Sequence, residues 1–301
     1  VVSAIEHPAV LRCADDLSRP VKLAPVQRDG RLDLDRFSAM LPEAAMISIM
    51  AANNETGVIQ PLREVCTMAH ERGLPVHSDA IQAAGKIPLL VRDLGVDLLS
   101  LSAHKFHGPK GVGALYVRRG IRFFPWLIGG SQENARRAGT ENTAAIVGMG
   151  AAAAAMQRHA HSQSSWHLLR DAFENQLLAE LPGVTITGSP SHRLPNTSLM
   201  AFDACEAIEL IQWLDDAGIE CSAGSACMAG KIRPSHVQLA MGIDDARGRS
   251  SLRFSFSMLN TPDDAHAAAE AIKRAVLRLR QPSHHRASPH GSPPACGRSN
   301  S

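Results

Sequence analysis

Asp97–Val117 reads DLLSLSAHKFHGPKGVGALYV: a hydrophobic strand ending in Ser102-Ala103-His104-Lys105, a Gly/Pro-rich turn, then a second strand. Lys105 stands at a strand end among Ser, His and Gly rather than acids. Desolvation there disfavours the ammonium and frees the amine as a nucleophile, which places Lys105 to form a Schiff base. Ser102 and His104 are suited to donate hydrogen bonds to a phosphate. One strand earlier, PVHSDAIQAAGK puts Asp79 just past the strand Pro75–Ser78. A buried carboxylate at that point holds a pyridinium nitrogen protonated and turns the ring into an electron sink. Gln82, three residues on, is suited to bond the ring's phenolic oxygen. Read alone, Lys105 is a surface lysine and Asp79 a helix N-cap. Read together they describe a cofactor site.

Outward from this pair, short aliphatic runs alternate with amphipathic stretches. Strands are predicted at Val21–Pro25, Met46–Met50, Pro75–Ser78, Leu98–Ser102 and Gly113–Val117. Helices are predicted at His7–Leu17, Leu34–Leu41 and Leu62–Arg72. This alternation predicts an α/β fold, a mostly parallel sheet sandwiched by helices, with ligands beyond the carboxyl ends of the strands. Gly120 to Asn142 predicts a long loop and Thr143 to Leu181 a helical stretch. A smaller α/β unit follows, with strands at Val184–Thr187, Thr197–Phe202 and Leu252–Phe256 and helices at Glu206–Asp216, Pro234–Met241 and Pro262–Leu279. Residues 281–301, rich in Pro, Ser, His and Gly, predict a disordered tail.

The 301 residues are 45% hydrophobic and 20% charged, with a formal net charge of +2. That balance is ordinary for a soluble globular protein and makes no electrostatic case for nucleic acid or an anionic membrane. No apolar run reaches the about 18 residues of a membrane-spanning helix; Ala144–Met156 comes nearest and reads as a packed helix. The opening residues carry no basic segment or cleavage site of a secretory signal and look like a strand in progress, so earlier residues are expected. Six cysteines, at 13, 66, 205, 221, 227 and 296, form no CxxC pair. They suit neither a zinc site nor a compact disulfide framework, which favours free thiols in a reducing cytoplasm.

EHPAV, ANNETGVIQP, HSDAIQAAGK, SAHKFHGPKG, RRAGTEN and GSACMAG…RPSHV stand in this order along the chain. In sequence and order they resemble the NifS/IscS-like cysteine desulfurases, members of the class V aminotransferase group of fold-type I pyridoxal-phosphate enzymes. The resemblance spans nearly all of residues 1–280. It implies a pyridoxal-phosphate-binding large domain over 1–142 and a linking helix with a smaller C-terminal domain over 143–280. Lys105 then matches the Schiff-base lysine, Asp79 the partner of the pyridine nitrogen and Gln82 the contact to the phenolic oxygen. His7 resembles the histidine that stacks on the ring and serves acid–base steps. Asn54 matches an asparagine near the cofactor and the substrate carboxylate, and Ser102 and His104 match phosphate contacts. Thr140 resembles a threonine that reaches the neighbouring subunit's phosphate, which implies a homodimer. Arg253 resembles the arginine that binds the substrate carboxylate, a task suited to a planar guanidinium.

Cys227 carries the distinguishing chemistry. Its segment CSAGSACMAGKIRPSH is built of small residues with little helix or strand propensity, so a mobile, partly exposed loop is expected. A thiolate there would take sulfur from L-cysteine and hand it to an acceptor or iron–sulfur scaffold protein. Cys13, Cys66 and Cys205 read as small buried hydrophobes. Cys221 reads as a strand end, with a resolving role beside Cys227 as the lesser option. The resemblance also implies an earlier phosphate-wrapping segment, not among these residues. A related pyridoxal-phosphate lyase or aminotransferase, and a non-catalytic relative acting in dimerisation or sulfur relay, stay open as alternatives.

Overall fold

The computed structural model describes residues 1–158, 163–228 and 231–281, without the side chains of 163, 164, 225–228 and 231–234. Strands β1 (Val2–Ser3), β2 (Leu23–Ala24), β3 (Ile47–Ser48), β4 (Val76–Asp79), β5 (Leu98–Ser102) and β6 (Gly113–Val117) form one sheet in the order β2-β1-β3-β4-β5-β6. The first five run parallel, in registers such as Ile47↔Val76 and His77↔Leu98; β6 closes the edge antiparallel to β5. Parallel strands need crossovers, supplied by helices such as Pro8–Asp15, Leu34–Met40 and Leu62–His70. The last buries Leu62, Val65, Cys66 and Ala69, one face at helical spacing. Buried Asp97 ties together the adjoining ends of β4, β5 and β6. It accepts from the Val76 amide at 2.7 Å and contacts His70 Nε2 at 2.9 Å and Arg118 at 2.5 Å.

Beyond β6 come helices Thr143–Arg158 and Gln163–Glu180, then β7 (Val184–Thr187), β8 (Thr197–Phe202), β9 (Ser222–Ala223), β10 (Ser225–Met228), β11 (Lys231–Pro234) and β12 (Ser251–Ser255). Four of these make a second sheet, β7-β8-β12-β9, antiparallel throughout. Helices Gln163–Glu180, Ala207–Asp216 and Pro262–Leu279 cover it, and Phe173, Phe202, Phe254 and Phe256 fill the space between. Thr261 and Asp264 form a capping box at the start of the last helix, with Pro262 in its first turn.

Several expectations change here. The helical stretch expected over Thr143–Leu181 holds helices Thr143–Arg158 and Gln163–Glu180. The helix expected from Pro234 begins at His236, because the Ser235 side chain accepts from the Gln238 amide as N-cap. The loop expected after Cys227 contains a hairpin: β10 pairs with β11 in the register Cys227↔Ile232. Backbone pairing there overrides weak side-chain propensity. Cys221 precedes β9 instead of ending a strand. Cys66 and Cys205 are buried, but Cys13 is exposed, because helix Pro8–Asp15 turns Ala14 inward. The predicted tail beyond residue 281 lies outside the described residues.

Candidate active site

Because β1, β3, β4 and β5 are parallel, their carboxyl ends share one edge of the sheet. His7 follows β1, Asn54 follows β3, Asp79 ends β4, and Ser102, His104 and Lys105 leave β5. A polar residue therefore stands on each of four adjacent strand exits, where open α/β sheets bind ligands.

Beyond Ser102 the chain makes a 3-10 turn, Ala103–Phe106, that carries His104 and Lys105 outward and closes with His107 at φ 66°. Gly108 folds tightly over it: a Cβ there would lie 2.8 Å from that of Ala103. Ser102 Oγ and His104 Nδ1 are 3.1 Å apart. Asp79 is buried, and its Oδ1 accepts from the Ile81 amide at 2.9 Å, so it also caps the turn that follows. That turn carries Gln82 and Lys86, whose ammonium donates to Gln82 Oε1 at 2.9 Å.

Gln82, Lys86, His104, Lys105 and Arg253 line one cavity of about 230 Å³. Three of these are cations, and no carboxylate is among the described residues lining it. Burial, then the Arg253 charge, pulls the Lys105 amine below its ordinary value. Burial, with Lys105 and Arg253 behind it, brings Lys86 down to about 8. Arg253 arrives from β12 and spans to the first sheet, donating through Nη1 to the Asn54 carbonyl at 2.8 Å. Its Nε and Asn54 Oδ1 are both buried without a hydrogen-bond partner. Buried polar atoms are seldom left so, and these await a polar ligand.

The other expected residues stand apart from the cavity wall. Asp79 and Asn54 lie beside it without lining it. His7 is exposed as N-cap of helix Pro8–Asp15, its Nδ1 accepting from the Ala9 amide at 3.1 Å. Thr140 is exposed, in the segment before helix Thr143–Arg158. The Cys227 side chain lies outside the described residues. Cys221 is half-buried, and burial raises its thiol to about 11, which keeps it protonated at neutral pH.

Three polar residues of the site escaped the sequence reading. Glu6 is fully buried; its Oε1 accepts from the Met50 amide at 2.5 Å while Oε2 has no partner. Burial, reinforced by Asp79, raises its carboxyl well above the ordinary value. Glu55 is raised by burial as well, near Arg253 and His236. Lys86 is the third. Glutamate and lysine are ordinarily surface residues, so only their places inside EHPAV, NNETG and QAAGK signalled them.

Residues 1–267 match the family Aminotransferase class-V. The chain belongs to that family. Within it, the chain is 42% identical to the cysteine desulfurase NifS of Azotobacter vinelandii, over 93% of this chain and 71% of that protein. It is 44% identical to a cysteine desulfurase of Cereibacter sphaeroides, over 93% of this chain and 73% of the other. A solved NifS-like protein superposes with a TM-score of 0.85 at 33% identity, covering 92% of this chain and 74% of the other. A NifS-like protein from Rickettsia africae gives 0.84 at 32%, covering 91% and 74%. These class V enzymes depend on pyridoxal phosphate. The cavity suits that group: its cations match a phosphate, Lys105 offers an amine of lowered basicity, and unpartnered buried atoms flank it.

Proposed function

We propose that this class V enzyme is a cysteine desulfurase that moves the sulfur of L-cysteine to Cys227, leaving L-alanine. The reading rests on one observation: Lys105 and Arg253, from different sheets, share a cavity with no carboxylate among the described residues lining it. When bound, pyridoxal phosphate supplies the electron sink that acidifies the substrate's α-carbon. The protein supplies placement and charge. Lys105 holds the group covalently and, once released, takes the α-proton, a role favoured by its lowered basicity. Asp79 keeps the ring nitrogen protonated, Gln82 bonds the phenolic oxygen, and Ser102 and His104 hold the phosphate. Arg253 and Asn54 grip the substrate carboxylate, and His7 stacks on the ring and shuttles protons. The Cys227 thiolate attacks the substrate sulfur. The carbon–sulfur bond breaks, an S–S bond forms, and a Cys227 persulfide and alanine account for every atom.

Thr140 then completes the phosphate site of a second subunit, and the enzyme acts as a homodimer. Exposed apolar residues just before it support this: Phe124 is 79%, Trp126 90% and Ile128 90% exposed. The persulfide passes to a sulfur acceptor or iron–sulfur scaffold protein in the cytoplasm. The free thiols of Cys13, Cys66, Cys205 and Cys221 fit that reducing setting.

Absorbance and sulfide release test this together. Purified enzyme with pyridoxal phosphate shows a visible band that Lys105→Ala abolishes. Cys227→Ser keeps the band and loses sulfide release from L-cysteine under reductant. A Cys227→Ser enzyme with wild-type activity defeats the thiol assignment; no band in the wild type defeats the cofactor site.

A further inference from the structure

Lys86 lines the cavity, yet the reaction above does not use it. Lys86 stands at the end of the turn that Asp79 begins and Gln82 occupies. Amides of Ala83 and Ala84 donate to the Ala80 carbonyl, and that of Lys86 donates to the Ala83 carbonyl, each at 3.0 Å. Gly85 gives this coil its last bend at φ +73°. A Cβ at Gly85 would come 2.9 Å from Phe106 Cβ and 3.0 Å from Met156 Sδ, so the bend is wedged between the Lys105 turn and helix Thr143–Arg158. Lys86 is thereby returned over Gln82, four residues back, and both line the cavity.

A side-chain amide has one acceptor end and one donor end. With Oε1 engaged by the Lys86 ammonium, Gln82 is fixed with its NH₂ available on the other side. We propose that Lys86 is a positioning residue: its hydrogen bond to Gln82 locks that amide with its donor end toward the ring oxygen of the bound cofactor. This rests on the cofactor reading given above. A donor aimed at that oxygen favours its anionic form and lowers the pH at which the bound chromophore titrates. The other charged or titratable groups facing Lys86 are Lys105 and Arg253, with His104 and His107 on the same cavity wall.

The test is a pH titration of the visible band of the cofactor-loaded enzyme, read with turnover absent. Lys86→Met is expected to move the midpoint upward by about one pH unit, the size of a lost hydrogen bond to a charged group. Lys86→Arg keeps a donor and should hold the wild-type midpoint. Gln82→Leu should shift it in the same direction, and the double variant should shift no further than the larger single change, because both act through one amide. An unchanged midpoint in Lys86→Met, beside a shifted one in Gln82→Leu, overturns the role of Lys86 and leaves the cofactor reading standing. Fully additive shifts overturn it too, since Lys86 would then act by charge alone. Should Lys86→Met fail to fold by circular dichroism, Lys86→Leu takes its place under the same criteria. Absence of a band in the wild type sinks the cofactor reading instead.

Discussion

The two faces of β12 make the sharpest contrast in the molecule. Leu252 and Phe254 point into an apolar core, where Phe254 meets Phe173 at 5.0 Å and Phe202 at 6.4 Å in edge-to-face contacts. One residue away, Arg253 turns to the cavity, with Ser255 beside it, and its Nε lies buried without a partner. On one face phenyl rings pack against each other; on the other, desolvated cations gather where they repel one another. The core face stabilises the fold. The cavity face destabilises it and is held ready for an anion.

That division can be broken one face at a time. Phe254→Ala empties the aromatic core and should cost about 4 kcal/mol in urea unfolding. Its KM for L-cysteine should stay near wild type, and a raised KM would mean the faces are not separate. Arg253→Ala should do the reverse. Losing the carboxylate partner lowers kcat/KM about 100-fold, near 3 kcal/mol, with little change in unfolding midpoint. Lys86 has an ordinary value of 10.5 and stands near 8 in the fold. Between those values the folded chain has released a proton that the unfolded chain retains, so wild-type stability climbs as pH rises from about 8 to 10.5. Lys86→Met lacks that slope. It should be more stable than wild type by about 1–3 kcal/mol at pH 7, an advantage that fades across that window. Thr261→Ala, which removes a helix cap on the core side, should cost about 1 kcal/mol and leave cofactor titration untouched.

The same contrast governs what could be read in advance. Leu98–Ser102, Gly113–Val117, Val184–Thr187 and Thr197–Phe202 were legible to the residue, because each is a short aliphatic or β-branched run bounded by turn residues. Lys105, Gln82 and Arg253 were legible through their motifs, and the structure brings all three to one cavity. What stayed hidden depended on long-range contact. Cys13 faces solvent because Ala14 takes the inward position on helix Pro8–Asp15, and the residue type alone did not reveal it. The β10–β11 hairpin is set by backbone pairing between residues with weak strand preference. Glu6 is buried by the Met50 amide, 44 residues away, which no local window contains.

Alternation along β12 also makes insertion and deletion far more damaging here than substitution. Its register against β8 pairs Arg253 with Leu199 and Phe254 with Ser198. Sliding the strand by a single position would drive a guanidinium among phenyl rings and leave a phenyl ring in the cavity wall that Arg253 now lines. Solvation and recognition thus penalise the same error, and frame length in this strand is doubly guarded.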